Sequence, residues 1–177
     1  MIKRISREKV YQGAILDVYQ DEMELDNGSR EKWDFVSHRM GAAAVVAATK
    51  EKKLLLVKQY RPALERYTLE LPAGCRDQKT EDTLTTSMRE LREETGYVSD
   101  KWRKLFSLKT TVAFCDESVD VYLAEDIIRE GGQELDPAED IEIGLYDLEE
   151  LLPMIYDGRM QDGKTIAGIL AYANLQR

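Results

Sequence analysis

The sequence has little from which to build a covalent or soft-metal centre. Its 177 residues include two cysteines and one histidine. Cys75 and Cys115 stand far apart and lack the CxxC spacing of a zinc or redox pair, so they read as reduced thiols. A lone histidine, His38, excludes a His-rich metal site and argues against a His-based triad. No apolar stretch approaches the roughly 20 residues of a membrane span. The N-terminal MIKRISREKV lacks the apolar centre of a secretory signal, so retention in the cytoplasm is the expectation. Positive charge is also short. The 25 Lys and Arg face 34 Asp and Glu, for a net charge of -9. That field repels nucleic acid and anionic membranes at long range. It does not exclude a phosphorylated small molecule, because a divalent cation reverses the local sign. Repeats, low-complexity tracts and long linkers are absent too.

What remains is an ordinary globular composition, 43% apolar and 33% charged, in a length that suits one domain with a small appendage. Residues 3–25 alternate loosely as short strands around Gln12-Gly13. EMELDNGSREKWDFVSH reads as a hairpin about Asp26-Asn27-Gly28. AAAVVAA (42–48) and KLLLVKQY (53–60) read as a paired hairpin at the heart of a sheet, and YTLELPAG (67–74) as a further strand. Glu81 to Thr95 carries Leu84, Met88 and Leu91 at helical spacing, which predicts an apolar stripe on one face. Gly96 is placed to stop that helix. Strands follow at about 104–110 and 118–124 and in IEIGLYD, then helices in LEELLPMIYDG and GKTIAGILAYANLQ. Many strands, one helix, more strands, then helices predict an α+β mixed sheet between helices rather than a βαβ repeat. Residues 1–40 read as a separate antiparallel strand patch suited to dimerisation, and 41–177 as the main domain.

One stretch is locally unfavourable. RELREETGY puts Glu90, Glu93 and Glu94 on one turn near a helix C-terminus. Like charges at i,i+4 cost a helix a few tenths of a kcal/mol per pair, and the helix dipole opposes anions at that end. An acidic run is ordinarily a solvated face, here partly balanced by Arg89 and Arg92. The alternative is a site for a hard cation such as Mg²⁺, which takes carboxylate oxygens and shares its shell with water and phosphates.

The wider spacing favours the cation. Gly74, Glu81, Arg89, Glu90, Leu91, Glu93, Glu94, Gly96 and Tyr97 fall in an order that resembles the Nudix box. In words, that box is Gly, five residues, Glu, seven residues, Arg-Glu-aliphatic-any-Glu-Glu-any-Gly-aliphatic. From Glu81 to Tyr97 the match is complete with Tyr97 in the last apolar place. Six residues rather than five separate Gly74 from Glu81, so the loop CRDQKT carries one extra. GAAAVVAA, LLLVKQYRP, LELPAG and GRMQDGKTIAGIL are similar to the ADP-ribose pyrophosphatase branch of these hydrolases.

The resemblance implies an α/β/α sandwich around a mixed sheet, often dimeric through N-terminal strands. It implies Mg²⁺- or Mn²⁺-dependent hydrolysis of a nucleoside diphosphate linked to another group, such as ADP-ribose to AMP and ribose 5-phosphate. Carried over, Glu90 and Glu94 match the chief metal ligands, Glu93 a further ligand or water-orienting group, and Ala73 a carbonyl ligand. Arg89 matches a residue that holds a box glutamate. Glu139 matches a mobile-loop base, with Glu117 a second candidate. Arg61 matches a diphosphate contact, Glu70 a contact to metal water or ribose, and Trp33 an adenine-stacking ring. Each has a plainer reading: Glu139 as a loop acid, Glu70 as a strand-end charge, Trp33 as strand packing or interface burial. Thr111-Val112-Ala113 stands where the branch often shows Ser-Pro-Gly, which keeps nucleotide sugars such as GDP-mannose open. A non-catalytic nucleotide-sensing module and an interaction protein with an acidic helix are the rival classes.

Overall fold

The computed structural model describes residues 1–137 and 139–177. The first three strands, β1 (Lys3–Gln12), β2 (Leu16–Glu24) and β3 (Arg30–His38), form their own antiparallel sheet in that order. The β2–β3 turn falls at Asp26-Asn27-Gly28, where Gly28 takes φ +83° and Asn27 Oδ1 accepts from Ser29 N at 2.9 Å. Ions rather than oils hold this sheet. Arg7 donates twice to the buried Asp21 at 2.6 Å, Lys9 and Arg39 hold the buried Asp17 at 2.9 Å, and the Arg7 guanidinium lies 4.0 Å from the Phe35 ring centre. All ten positions of β1 are exposed.

The central sheet has seven strands. They are β4 (Ala42–Ala48), β5 (Leu54–Arg61), β6 (Arg66–Glu70), β7 (Ala73–Cys75), β9 (Lys101–Lys109), β10 (Ser118–Glu125) and β12 (Ile141–Tyr146). The short strands β8 (Tyr97–Val98) and β11 (Ile128–Arg129) pair separately. The main order is β12-β5-β4-β10-β9, with β10 parallel to β4 and the other pairings antiparallel, so the sheet is mixed as expected.

The expected β4–β5 hairpin is only partly formed. Its pairing is confined to Ala47↔Leu55 and Ala48↔Leu54. Beyond that the strands part, because the chain returns along β5 as β6 and then crosses to pair Ala73–Cys75 with Ala42–Ala44. Pro72 makes the crossing and its carbonyl accepts from Val45 N at 2.9 Å. The resulting gap brings the Ala73-Gly74 backbone beneath α1 (Thr83–Thr95).

Period-two alternation divides β4 between two cores. Val45 and Ala47 face α1 with Leu55, Leu91, Ala124 and Ile127. Ala44, Val46 and Ala48 pack with residues of α2 (Leu148–Tyr156) and α3 (Gly163–Leu175), including Leu151, Ile169 and Tyr172. Both faces of β4 are covered, which explains an unbroken apolar run, and the architecture is an α/β/α sandwich. The described residues contain no helix long and apolar enough to cross a membrane.

The α1 stripe needs correction. Leu91 is fully buried, but Met88 is 42% exposed. The inward face is Thr86, Ser87, Glu90, Leu91, Glu94 and Thr95. Small hydroxyl residues let the helix sit close to the sheet, and two carboxylates take positions where hydrophobic periodicity would place oils.

Candidate active site

Two glutamates are buried on α1 for a reason visible in the backbone below them. The Glu90 carboxylate lies where a side chain at position 74 would be. A Cβ built on Gly74 would fall 2.1 Å from Glu90 Cδ and Oε1. The neighbouring Ala73 N donates to Glu94 Oε2 at 3.0 Å. The ELPAG turn thus serves α1 as a glycine-sized seat for one carboxylate and an amide donor for the other. Burial, with the Glu90 charge beside it, raises Glu94 to about 8. Burial raises Glu90 to about 7, partly opposed by Arg89 and reinforced by Glu93 and Glu139.

Arg89 organises the rim. Its Nη1 contacts Glu90 Oε1 at 2.8 Å and Glu93 Oε2 at 2.9 Å, and its Nη2 donates to the Cys75 carbonyl at 2.9 Å. Burial disfavours its charge, but Glu90, Glu93 and Asp77 more than offset this and its pKa is raised. The loop with the extra residue is tied down at both ends. Glu81 accepts from Asp77 N at 2.7 Å, while Arg76 donates to the Met40 carbonyl at 2.6 Å and the Lys79 carbonyl at 2.8 Å. The insertion therefore leaves the box helix in place.

Arg89, Glu90, Glu93 and Glu94 line a cavity of about 540 Å³ together with Arg61, Glu134, Asp136 and Glu139. Glu139 holds its loop by accepting from Asp136 N at 3.0 Å. A second cavity of about 600 Å³ shares Arg61, Ala73, Gly74 and Cys75 with the first and extends to Glu117 and Lys164.

With this geometry in view, comparison with known proteins gives a consistent answer. The family described as NUDIX domain matches residues 37–168. The chain belongs to the Nudix family. It is 40% identical over 168 residues to an ADP-ribose pyrophosphatase of Bacillus subtilis (strain 168), covering 94% of this chain and 90% of that one. It is 37% identical to a methanol dehydrogenase activator of Bacillus methanolicus, over 98% and 93% of the two chains. A crystal structure of an ADP compounds hydrolase superposes with a TM-score of 0.87 at 19% identity, covering 98% of this chain and 93% of that one. At that identity the likeness shows the fold.

The Nudix helix brings Glu90, Glu93, Glu94 and Arg89 to one cavity, with Ala73, Arg61 and Glu139 on its walls. Three of the expected residues stand elsewhere. Glu117 lines the larger cavity, where Thr110 donates to it at 2.8 Å and His38 Nδ1 lies 3.7 Å away. Trp33 lies on β3, 43% exposed, and lines neither cavity. Glu70 is 3% exposed and engaged by cations, and burial is outweighed by Arg61 and Lys164, which hold it down at about 2. Lys164 itself was missed in the sequence, because only the fold carries the start of α3 to the end of β6.

The donor set suits a hard dication: all oxygen, the three helix carboxylates Glu90, Glu93 and Glu94 on one acidic cavity, and a seat that a Cβ would fill. Among the described residues no three acidic, His or Cys side chains converge tightly enough to hold an ion alone. A cation there needs a carbonyl, water or substrate phosphate to complete its shell, the usual habit of Mg²⁺.

Proposed function

We propose that this Nudix protein hydrolyses the diphosphate of a nucleoside diphosphate linked to a second group, with ADP-ribose giving AMP and ribose 5-phosphate as the leading case. The observation that carries this is the Glu90 carboxylate seated on Gly74 beside Glu94, in a cavity shared with Arg61 and Glu139. Similarity to the B. subtilis ADP-ribose pyrophosphatase supports the substrate.

Glu90, Glu94 and Glu93, with the Ala73 carbonyl, would hold Mg²⁺ or Mn²⁺. When bound, such a cation neutralises phosphate charge and makes a water more acidic. Arg89 fixes the rotamers of Glu90 and Glu93 through its two short contacts. Arg61 binds the diphosphate. Glu139 accepts the proton of the attacking water as general base. No covalent enzyme intermediate is needed.

We also infer a homodimer built on residues 1–40. Ile2, Ile5, Val10 and Tyr11 are exposed on or beside β1, a set that a second copy would cover. Trp33 would then meet adenine only across such an interface. Light scattering tests the dimer, and a raised KM for Trp33→Ala tests the ring. A cytoplasmic location fits the two free cysteines.

The deciding experiment is a panel of ADP-ribose, GDP-mannose and UDP-glucose with Mg²⁺ or Mn²⁺, with products separated by chromatography. Metal-dependent release of AMP from ADP-ribose is expected. Tight binding without turnover would replace this reading with a nucleotide-sensing module.

A further inference from the structure

At the seam where the two cavities meet, Arg61 belongs to a charged cluster centred on Glu70, of which the reaction above uses only Arg61. The Glu70 carboxylate accepts four hydrogen bonds: Arg61 Nε at 2.7 Å and Thr68 Oγ1 at 2.6 Å on one oxygen, Arg61 Nη2 at 2.6 Å and Lys164 Nζ on the other. A carboxylate has about four acceptor sites. Glu70 is therefore saturated and cannot reach a metal, its water or a ribose hydroxyl without releasing one of these donors. Lys164 lies in the first turn of α3 and also contacts Asp162 Oδ2 at 2.9 Å. Asp162 is occupied as the helix N-cap, accepting from Thr165 N at 3.0 Å.

A buried ion network is weak evidence for stability, because desolvation offsets much of the attraction. The location suggests a different use. Arg61 lines both cavities and Lys164 lines the larger. Their long stems would otherwise lose rotamer freedom on binding an anion, and a fixed carboxylate removes that cost beforehand. We propose that Lys164 binds a phosphate oxygen of the substrate beside Arg61, and that Glu70 is the positioning residue holding both cations at the seam. The identity of the diphosphate substrate rests on the hydrolase reading; the anion-binding role of the pair does not.

The test uses the full chain with Mg²⁺ and two readouts: calorimetric affinity for α,β-methylene-ADP, and steady-state kinetics on ADP-ribose. Lys164→Gln should weaken binding about tenfold or more, the scale of one charged hydrogen bond. It should raise KM by a similar factor and change kcat by less than about threefold, as for a contact made equally in ground and transition states. Lys164→Arg should restore most of the affinity. Glu70→Gln should weaken binding too, and adding Lys164→Gln to it should cost much less than the two separate effects combined. Melting curves establish that each variant is folded; should Glu70→Gln fail to fold, the Lys164 pair still decides. An unchanged affinity in folded Lys164→Gln, or no binding by the wild type, overturns the proposal. Weakened binding in Lys164→Gln with no turnover by the wild type would instead overturn the hydrolase reading alone.

Discussion

Replacing Gly74 by alanine puts a methyl group where the Glu90 carboxylate lies. The new Cβ would sit 2.1 Å from Glu90 Cδ and Oε1 and 2.5 Å from Oε2. Non-bonded carbon contacts are comfortable at about 3.5–4.0 Å, so the carboxylate must withdraw by more than about 1 Å. Gly74 is not among the glycines with positive φ, so the backbone accepts alanine and the clash is the only obstacle. Glu90 meets it with the far end of a flexible chain, so the fold can yield by rotating that side chain. The overpacking cost should stay near the low end of about 1–3 kcal/mol, or roughly 2–4 °C of Tm in a chain of this size. Activity should suffer far more, because a misplacement of about 1 Å in a reacting assembly costs about 100-fold. The expected result for Gly74→Ala is a kcat on ADP-ribose down about 100-fold with a nearly unchanged melting curve. Combined with Glu90→Gln it should lose little more, since both changes remove the same seated carboxylate. Activity within about threefold of wild type, or full additivity with Glu90→Gln, would refute the seat argument.

Four further outcomes follow from the same geometry. Glu94→Gln should lower kcat at least about 100-fold, the scale of one main electrostatic element; a near-wild-type rate in saturating Mg²⁺ would sink its assignment. Glu90 at about 7 and Glu94 at about 8 lie above their ordinary 4.5, so the cation-free folded protein binds more protons than the unfolded chain from about pH 4.5 to 8. Their contribution to stability therefore falls as pH rises through that window. A dication needs the ionised forms, so the Tm increase from millimolar Mg²⁺ should be larger near pH 8.5 than near pH 6, and Glu94→Gln should flatten the difference. Glu70 runs the other way. Held at about 2, it contributes stability above its ordinary 4.5 that is lost as pH falls towards 2, so the urea stability gap between wild type and Glu70→Gln should narrow on acidification. Gly96→Ala should cost stability rather than chemistry. Gly96 has φ +73° and its added Cβ would meet the Gly131 carbonyl oxygen at 2.5 Å, a backbone atom that cannot rotate away, so a loss of more than about 1 kcal/mol by denaturant titration is expected.

The helix and its stop were legible because their signals are local. Gly96 and the carboxylates before it sit where spacing puts them, while the helix begins at Thr83 behind the N-cap Asp82 rather than at Glu81. The apolar stripe misled because Leu84, Met88 and Leu91 satisfy helical periodicity, whereas the fold turns Glu90 and Glu94 inward and leaves Met88 in solvent. Periodicity measures oiliness. It does not register that a glycine below the helix has vacated space for a carboxylate. The β4–β5 pairing stops after two residue pairs for a related reason: two adjacent apolar runs suggest a full hairpin, but β6 and β7 compete for their edges.

Sequence alone pointed to the class of chemistry. The acidic turn by itself reads as a solvated face, and it is the match of its wider spacing to the Nudix box that implies a hard cation and identifies the helix that would hold it. Tertiary structure decided what each acid does. Glu70, Glu90 and Glu94 are the same residue type and all are buried, yet two cations hold Glu70 ionised while Glu90 and Glu94 crowd each other above a glycine seat. That difference comes from partners far along the chain: Lys164 is 94 residues from Glu70, and Ala73 is 21 from Glu94. Charge environment is set by such through-space neighbours, and only the folded chain brings them together.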